Sequence, residues 1–166
     1  MENAMMRSLA EFFRENSDLS ILLQGETAKA TLLEQFVSQP HSVLVATSSF
    51  WEGVDVRGDA LSLVIIDKLP FTAPDEPLLK ARIEDCLLQG GDPFNDIQIP
   101  EAVITLKQGV GRLIRDVTDR GVVIICDNRL VMRPYGETFL RSLPHFKRTR
   151  DLNKVVQFLT ETNREE

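Results

Sequence analysis

Four short, nearly uninterrupted apolar segments, separated by stretches with helical spacing, constrain this 166-residue chain more than any other feature. They are LSILLQG (19–25), SVLVATS (42–48), LSLVIIDKLPF (61–71) and GVVIICD (121–127). Strands that alternate apolar and polar residues have one face in water, whereas continuous apolar strands are typical of parallel sheets buried on both faces. We therefore expect an α/β fold with a doubly wound, mostly parallel sheet flanked by helices.

Helices are predicted before, between and after these strands from the spacing of their apolar residues. The predicted ranges are 3–16, 27–39, 76–88, 101–116, 134–142 and 151–162, with a loop at 91–100. This order fits a single domain over 1–166, with a core at about 19–142 and a helical tail at 143–166. Because an α/β unit usually begins with a strand, we expect the opening helix to follow a strand in a longer parent protein.

Charge and cysteine content limit the classes of function. The net charge of −6 argues against a protein that coats polyanions through its overall charge, although it allows a local basic groove. Cys86 and Cys126 lie in apolar sequence without metal-ligand spacing, so we expect buried, reduced thiols, no metal site and an intracellular location. No apolar run approaches the roughly 18 residues of a membrane span.

The stretch ATSSFWEGVDVRG (46–58) directly follows the second predicted strand, where ligands collect in parallel α/β sheets. The hydroxyl residues Thr47, Ser48 and Ser49 can donate hydrogen bonds to a phosphate oxygen. Glu52 and Asp55 can accept from a ribose hydroxyl or orient a water molecule. Composition alone equally describes an ordinary strand-to-helix loop in which glycine and aspartate are turn residues.

A second candidate, DKLPF (67–71), follows the third strand and places Lys68 at its end. A plain backbone turn explains this stretch as well.

The third candidate is QGVGRLIRD (108–116), in which Gln108, Arg112 and Arg115 have helical offsets of four and three. Two guanidinium groups on one face repel each other unless an anion lies between them. Gly109 and Gly111 each cost about 1 kcal/mol in a helix interior, so their presence indicates that something approaches closely.

A solvated helix face is the alternative explanation for these arginines. In that case Arg112 or Arg115 would pair with a nearby carboxylate of the same chain. The candidates are Asp116, Asp119 and Glu101.

Taken together, the order and spacing of these stretches resemble the second RecA-like motor domain of superfamily 2 helicases. ATSSFWEGVDVRG resembles motif V, and QGVGRLIRD resembles motif VI with its Q-x-x-G-R-x-x-R pattern. VIIDKLPF and QGVGRLIRDVTDRGVVIICDNR are similar to segments of the XPD/DinG group of iron–sulfur helicases, and its bacterial DinG-like branch fits best. The resemblance covers about residues 20–142 and implies a P-loop NTPase fold, RecA-like but without its own P-loop.

The resemblance also implies roles for individual residues. Arg112 and Arg115 would be arginine fingers that face the β- and γ-phosphates of ATP, and Gln108 would touch the γ-phosphate or the attacking water. The residues on the nucleotide side would be Glu52, Gly53, Asp55 and Gly111. Those that meet the backbone of single-stranded DNA would be Thr47, Ser48 and Ser49.

The chain contains neither G-K-[ST] nor D-E-x-[HD], and its two cysteines cannot hold a four-thiolate cluster. The resemblance places the phosphate loop, the magnesium site and a 4Fe–4S cluster in an N-terminal motor domain of the parent protein. ATP and Mg²⁺ would bind between the two motor domains. We therefore expect the chain to be part of a helicase that acts in DNA repair and replication in the bacterial cytoplasm, associated with the nucleoid. We also expect the chain to be inactive without the N-terminal motor domain.

The predicted tail combines a basic cluster with an apolar stripe at Leu152, Val155, Val156 and Leu159. It fits either a terminal helix docked on the sheet or a docking site for DNA or a protein. For one member of the bacterial branch, the resemblance points to the chi subunit of DNA polymerase III as a partner. A non-enzymatic docking module is therefore the alternative function, while the missing phosphate loop argues against a self-contained nucleotide-binding domain.

Overall fold

Four strands form where the apolar runs predict them, and they pair in parallel two by two. The computed structural model of the protein describes residues 2–51, 56, 60–113 and 119–162. The strands are β1 (Ser20–Leu23), β2 (Ser42–Val45), β3 (Leu63–Ile66) and β4 (Val122–Ile125). The helices are α1 (Glu2–Asn16), α2 (Lys29–Ser38), α3 (Pro77–Leu88), α4 (Ile99–Val110), α5 (Arg129–Met132), α6 (Gly136–Ser142) and α7 (Leu152–Thr162).

The chain divides into two units, and the first, Met1–Leu61, contains β1 and β2. Their register runs from Ser20 opposite Ser42 to Leu23 opposite Val45. Apolar side chains cover both faces of β1, as the continuous apolar run predicts. One cluster consists of Ala10, Ile21, Leu23 and Val45, with Met6 and Phe13 of α1 packed against it. The other consists of Leu22, Leu32 of α2, Phe50 and Val56.

The second unit, Ser62–Glu166, contains the parallel pair of β3 and β4 and the remaining helices. On α4, Leu106 and Val110 are fully buried, and Phe139 of α6 is fully buried as well. Ile65 in β3 is 57% exposed, so this strand lacks the two-sided burial that its apolar run predicts.

The boundaries of α4 differ from the prediction at both ends. A turn of wide, π-type helix at Phe94–Gln98 leads directly into α4, so the loop predicted at 91–100 is wrong. Pro100 lies in the first turn of α4, where its missing N–H is not needed. At the other end α4 stops at Val110, and the amides of Gly111, Arg112 and Leu113 form a tight terminal turn.

Both cysteines are less buried than expected. Cys86 is half-buried on α3, and Cys126 is exposed because it comes directly after the end of β4. Among the described residues, no helix is long and apolar enough to cross a membrane. The small parallel sheets and their flanking helices confirm a mixed α/β fold; the RecA-like, doubly wound sheet and the single-domain boundaries stay predictions.

Candidate functional site

The three hydroxyl residues predicted to contact DNA lie just beyond β2. Thr47 follows the strand, and Ser48 and Ser49 begin a short 3₁₀ turn, Ser48–Trp51. The backbone N–H and the hydroxyl of Thr47 donate to Oε1 of Gln24, at 2.8 and 3.2 Å, and the Thr47 and Ser49 hydroxyl oxygens are 2.8 Å apart. Because Gln24 directly follows β1, this network joins the carboxyl ends of both strands.

An open cavity of about 110 Å³ adjoins this network. Its polar lining comes from Gln24, Thr27, Lys29 and Ser49, with Gly25 between them. Leu32 and Phe50 form its apolar wall, and the Lys29 ammonium lies 4.8 Å from the centre of the Phe50 ring. The cavity therefore collects hydroxyl, amide and ammonium groups at the carboxyl edge of β1 and β2.

Glu26, the acidic residue in the loop after β1, forms an ion pair with Arg14. A guanidinium nitrogen of Arg14 lies 3.0 and 2.8 Å from the two carboxylate oxygens of Glu26 and also donates to the carbonyl of Ile21, at 3.2 Å. The hydrogen bond to Glu26 raises the pKa of Arg14. Arg14 thus balances the charge of Glu26 beside the cavity.

The nucleotide-side residues predicted in the same loop, Glu52, Gly53 and Asp55, lie outside the described residues. The loop is described again at Val56, which is buried in the core of the first unit. Lys68, the candidate after β3, is exposed and lies 3.8 Å from the Asp67 carboxylate, which fits an ordinary strand-end turn.

Three residues of the motif VI stretch lie at the end of α4, in the second unit. Gln108 is exposed on the last turn of the helix, and Gly111 is exposed in the terminal turn. A Cβ at Gly111 would come within 3.0 Å of the Lys107 carbonyl oxygen, so this tight turn favours glycine. Arg115, the second predicted finger, lies outside the described residues.

Arg112 is the half-buried residue of this turn. Its Nε atom is inaccessible to water and has no hydrogen-bond partner within the part of the chain that the structure describes. An unsatisfied donor on a permanently charged group is costly, and an incoming anion can satisfy it. Arg112 follows α4 rather than lying within it, so the prediction of one helix over 101–116 that carries both Gln108 and Arg112 is wrong.

A second polar cluster, which the sequence analysis did not assign to the site, lies at the carboxyl edge of β3 and β4. The Asp127 side chain is only 5% exposed and accepts hydrogen bonds from the backbone N–H groups of Leu69 and Arg129, at 2.9 and 3.0 Å. The Arg129 guanidinium donates to both carboxylate oxygens, its shortest bond being 2.6 Å. The signal available in the sequence was D-x-R directly after the fourth strand.

The Arg129 guanidinium holds the pKa of Asp127 at about 2, with the backbone amides of Leu69 and Arg129 adding to the effect. Asp127 is therefore ionised at neutral pH and fixes the turn that follows β3. Arg129 also lies over Phe71, at 5.4 Å from the ring centre. We call these residues the Asp127–Arg129 clasp.

Next to this clasp, four aromatic rings pack together. They are Phe71, Phe94, Tyr135 and Phe139. Phe71 and Phe94 are stacked with centres 5.8 Å apart, while Tyr135 and Phe139 meet Phe71 edge to face. Since Phe139 is fully buried, this cluster anchors α6 to the turn after β3.

The predicted residues thus fall into two groups. Thr47, Ser48 and Ser49 lie in the first unit, and Gln108, Gly111 and Arg112 lie together in the second. In the described ranges, no three His, Cys, Asp or Glu residues come together in a group that could hold a metal ion.

Comparison with known proteins identifies the family. The helicase C-terminal domain family matches residues 2–146. The chain is a helicase C-terminal domain. Over 156 residues it is 88% identical to the ATP-dependent DNA helicase YoaA of Haemophilus influenzae, covering 94% of this chain and 24% of the relative.

Two further relatives place this helicase C-terminal domain in the DinG group. It is 73% identical over 157 residues to YoaA of Escherichia coli, covering 95% of the domain and 25% of the relative. It is 43% identical over 149 residues to the ATP-dependent helicase DinG of Mycobacterium tuberculosis, covering 90% and 22%. The resemblance carried by the motifs is confirmed, and the domain spans about a quarter of the length of these relatives.

The names of the relatives imply ATP as a ligand, and the chemistry of Arg112 fits one of its phosphates. The buried, unpaired Nε of Arg112 is suited to an anion. A 4Fe–4S cluster does not fit this chain, because Cys86 and Cys126 provide two of the four thiolates that such a cluster takes.

Proposed function

We propose that this helicase C-terminal domain is the second motor domain of an ATP-dependent DNA helicase that acts in DNA repair and replication. The names of its relatives support ATP-dependent work on DNA. Since the chain has no phosphate loop of its own, ATP and Mg²⁺ would be held chiefly by an N-terminal motor domain. Closure of the two domains around ATP and their reopening after hydrolysis would move them along a single strand.

Arg112 is the observation that carries this proposal. Its buried Nε without a partner is a donor prepared for an anion that the described chain does not supply. Phosphoryl transfer places charge on the oxygens of the transferred group, and an arginine supplied by another domain stabilises that charge. Arg115 and Gln108 would act with Arg112, while Glu52, Gly53, Asp55 and Gly111 would border the nucleotide.

The test uses a chimera because the relatives are about four times longer than the chain. The matching segment of the Haemophilus influenzae relative, 88% identical over 156 residues, is replaced by this domain. Arginine fingers are worth about 10³–10⁵ in rate, so Arg112→Ala should lower DNA-stimulated ATP turnover by at least about 10³-fold. ATP affinity, measured with a fluorescent nucleotide, should change by only a few-fold.

Arg133→Ala is the matched control, because Arg133 is an exposed arginine beyond α5. Turnover within twofold of the unmodified chimera is expected for it. Arg112→Lys keeps the positive charge but removes the planar set of guanidinium donors. Its turnover should be little higher than that of Arg112→Ala. An Arg112→Ala chimera with normal turnover contradicts the finger role.

Single-stranded DNA would contact the first unit at the carboxyl ends of β1 and β2, where Thr47, Ser48 and Ser49 lie. The exposure of Ser48 and Ser49 supports this assignment. Contacts of this kind go to the backbone, so binding should tolerate different sequences and weaken with salt.

A docking role is the second candidate, and α7 supports it. Leu152 and Val156 of its apolar stripe are 67% and 62% exposed, although Phe158 packs on Arg120 at 5.2 Å. Such an uncovered face, flanked by Arg148 and Lys154, fits a groove on a protein partner, for which we propose the chi subunit of DNA polymerase III. Truncation after Leu143 should abolish binding of that subunit; unchanged affinity would rule out a role for the tail.

A further inference from the structure

The turn that carries Arg112 is held by buried side chains on both sides of it. Val110, the last residue of α4, is fully buried, and Leu113 is only 3% exposed. The backbone N–H of Leu113 donates to the Val110 carbonyl at 3.0 Å, and that of Arg112 donates to the Gly109 carbonyl at 3.3 Å. Because Arg112 lies between two anchored residues, a shift of either anchor moves its side chain. We call residues 111–113 the arginine turn.

The second anchor, Leu113, packs against Gly121, the residue directly before β4. A Cβ atom built on Gly121 would lie 2.6 Å from Cδ1 of Leu113, 2.8 Å from its Cγ and 3.0 Å from its Cδ2. These separations are far inside ordinary contact between carbon atoms, which is about 3.5–4.0 Å. A residue without a side chain is therefore needed at this position if Leu113 is to stay where it lies.

Close approach, and not backbone conformation, explains the glycine. The backbone of Gly121 does not have a positive φ, so alanine can adopt its conformation. The backbone is also held in place, since the N–H of Val122 donates to the Ser62 carbonyl at 3.0 Å and Val122 begins the pairing of β4 with β3. A methyl group added to Gly121 must therefore displace Leu113.

A displaced Leu113 would carry Arg112 with it. The buried side chain of Leu113 has close-packed surroundings, so few other rotamers are open to it. Turning its two methyl groups about χ2 would leave Cγ where it is, and Cγ is one of the atoms that the added methyl group would meet. The backbone of Leu113 must then move, and it belongs to the same hydrogen-bonded turn as Arg112.

We propose that Gly121 is a positioning residue for Arg112, because its missing side chain lets Leu113 fix the arginine turn in the orientation that presents the guanidinium to a phosphate of ATP. This inference rests on the proposed function, in which Arg112 is an arginine finger. Catalysis is sensitive to such placement, since a misplacement of about 1 Å can lower a rate about 100-fold.

Gly121→Ala in the chimera with the Haemophilus influenzae relative tests the effect on catalysis. DNA-stimulated ATP turnover at saturating ATP should fall about 10-fold to 100-fold. The affinity for a fluorescent ATP analogue should change little, because an N-terminal motor domain would hold the nucleotide chiefly. Both measurements are made well below the unfolding temperature of the variant.

Gly91→Ala is the matched control. A Cβ on Gly91 would lie 2.7 Å from Sγ of Cys86, so this variant adds a comparable clash in the same unit. Gly91 precedes α4, a helix of 12 residues and about 18 Å, whereas the arginine turn follows it. The turnover of Gly91→Ala should match that of the unmodified chimera.

The Nε–H group of Arg112 reports the position of the side chain without an activity assay. This nitrogen is inaccessible to water, so its proton should exchange slowly with solvent in the 166-residue chain. In an NMR spectrum, it is the arginine Nε–H signal that Arg112→Lys removes. Gly121→Ala should shift this signal and accelerate its exchange, whereas Gly91→Ala should leave the signal in place.

Leu113→Ala provides a second test that does not depend on the folding of Gly121→Ala. It removes the three atoms that face Gly121 and loosens the turn while Arg112 is still present, so turnover should fall and Nε–H exchange should accelerate. Leu79→Ala, which truncates an equally buried leucine on α3, should change neither. In a Leu113→Ala chimera, Gly121→Ala should cause no further loss of turnover, because the atoms that it would meet are absent.

The outcomes separate this inference from the proposed function. Normal turnover in folded Gly121→Ala or Leu113→Ala, with Arg112→Ala inactive, overturns the positioning role and leaves the finger role intact. Lost turnover in Gly121→Ala with an unmoved Nε–H signal also overturns it. A moved signal with normal turnover in both Gly121→Ala and Arg112→Ala would support the action of Gly121 on Arg112 and contradict the finger role.

Discussion

At the scale of single residues, the Asp127–Arg129 clasp shows how a charged side chain is stabilised inside this domain. Its carboxylate is almost inaccessible to water, so ionisation requires several donors. Those donors are two backbone amides and the Arg129 guanidinium. The clasp therefore links the ends of β3 and β4 in addition to their ladder of backbone hydrogen bonds.

Stability should depend on the charge of Asp127. Its pKa is about 2 in the folded chain against 3.8 for the ordinary side chain, so the stabilisation is present in full above pH 3.8. It is lost as the pH falls through about 2. Asp127→Asn should lower the free energy of unfolding by about 1–2 kcal/mol at pH 7, a value discounted for the partly exposed Arg129.

Urea unfolding of both proteins at pH 7, 4 and 3 checks this prediction. The difference between them should persist at pH 4 and shrink at pH 3, because the unfolded aspartate is then mostly protonated. A difference that stays constant over this range would mean that the clasp stabilises the fold by packing rather than by charge.

At the scale of elements, α4 offers a direct measure of what holds the second unit together. Leu106 is fully buried, whereas Ile104, two residues earlier on the same helix, is 57% exposed. Leu106→Ala should destabilise the chain by about 2–5 kcal/mol through lost burial and the cavity that remains.

Ile104→Ala is the control, because it removes a similar aliphatic side chain from the exposed face of the same helix. Surface changes of this kind usually stay within about 0.5 kcal/mol. The two free energies of unfolding, measured in urea, should therefore differ by at least about 1.5 kcal/mol. Equal effects would show that the exposed face of α4 also contributes packing.

The strands and long helices were predictable because their signals are local. Each strand, β1 to β4, is indicated by the run of apolar residues that forms it. Parallel pairing within each two-stranded sheet was expected because helices connect the paired strands. The predicted start of α4 at residue 101 is two residues late, because proline often marks a loop although it is also compatible with a first helical turn. The four-residue helix α5 is too short for apolar periodicity to detect.

The residues missed at the site depend on contacts between distant parts of the chain. Asp127 accepts from the amide of Leu69, 58 residues away, and Gln24 accepts from Thr47, 23 residues away. The motif after β2 includes Thr47 and Ser49, whereas Gln24, which accepts from Thr47, and Lys29 lie in the chain after β1. Sequence patterns therefore found the edge of each sheet, and only the tertiary structure revealed which side chains meet there.

At the scale of the whole molecule, residues proposed to bind phosphate groups occur in both units. Thr47, Ser48 and Ser49, which we propose contact DNA, belong to the unit that contains β1 and β2, and Arg112 belongs to the unit that contains α4. Each group offers donors for phosphate oxygens, and G-K-[ST] occurs nowhere in the sequence. We therefore expect a complete catalytic site for ATP to need an N-terminal motor domain as well.

The purified 166-residue chain should accordingly show no DNA-stimulated ATP turnover above background in a coupled assay. The chimera with the Haemophilus influenzae relative, at equal concentration, is the positive control. A preparation of the Arg112→Ala chain distinguishes turnover by this domain from that of a contaminating ATPase. Contaminant turnover would be the same in both preparations, whereas turnover by the domain would be lower in the variant. DNA-stimulated hydrolysis that Arg112→Ala abolishes in the isolated chain would contradict the need for an N-terminal motor domain, because the chain would then hold and hydrolyse ATP by itself.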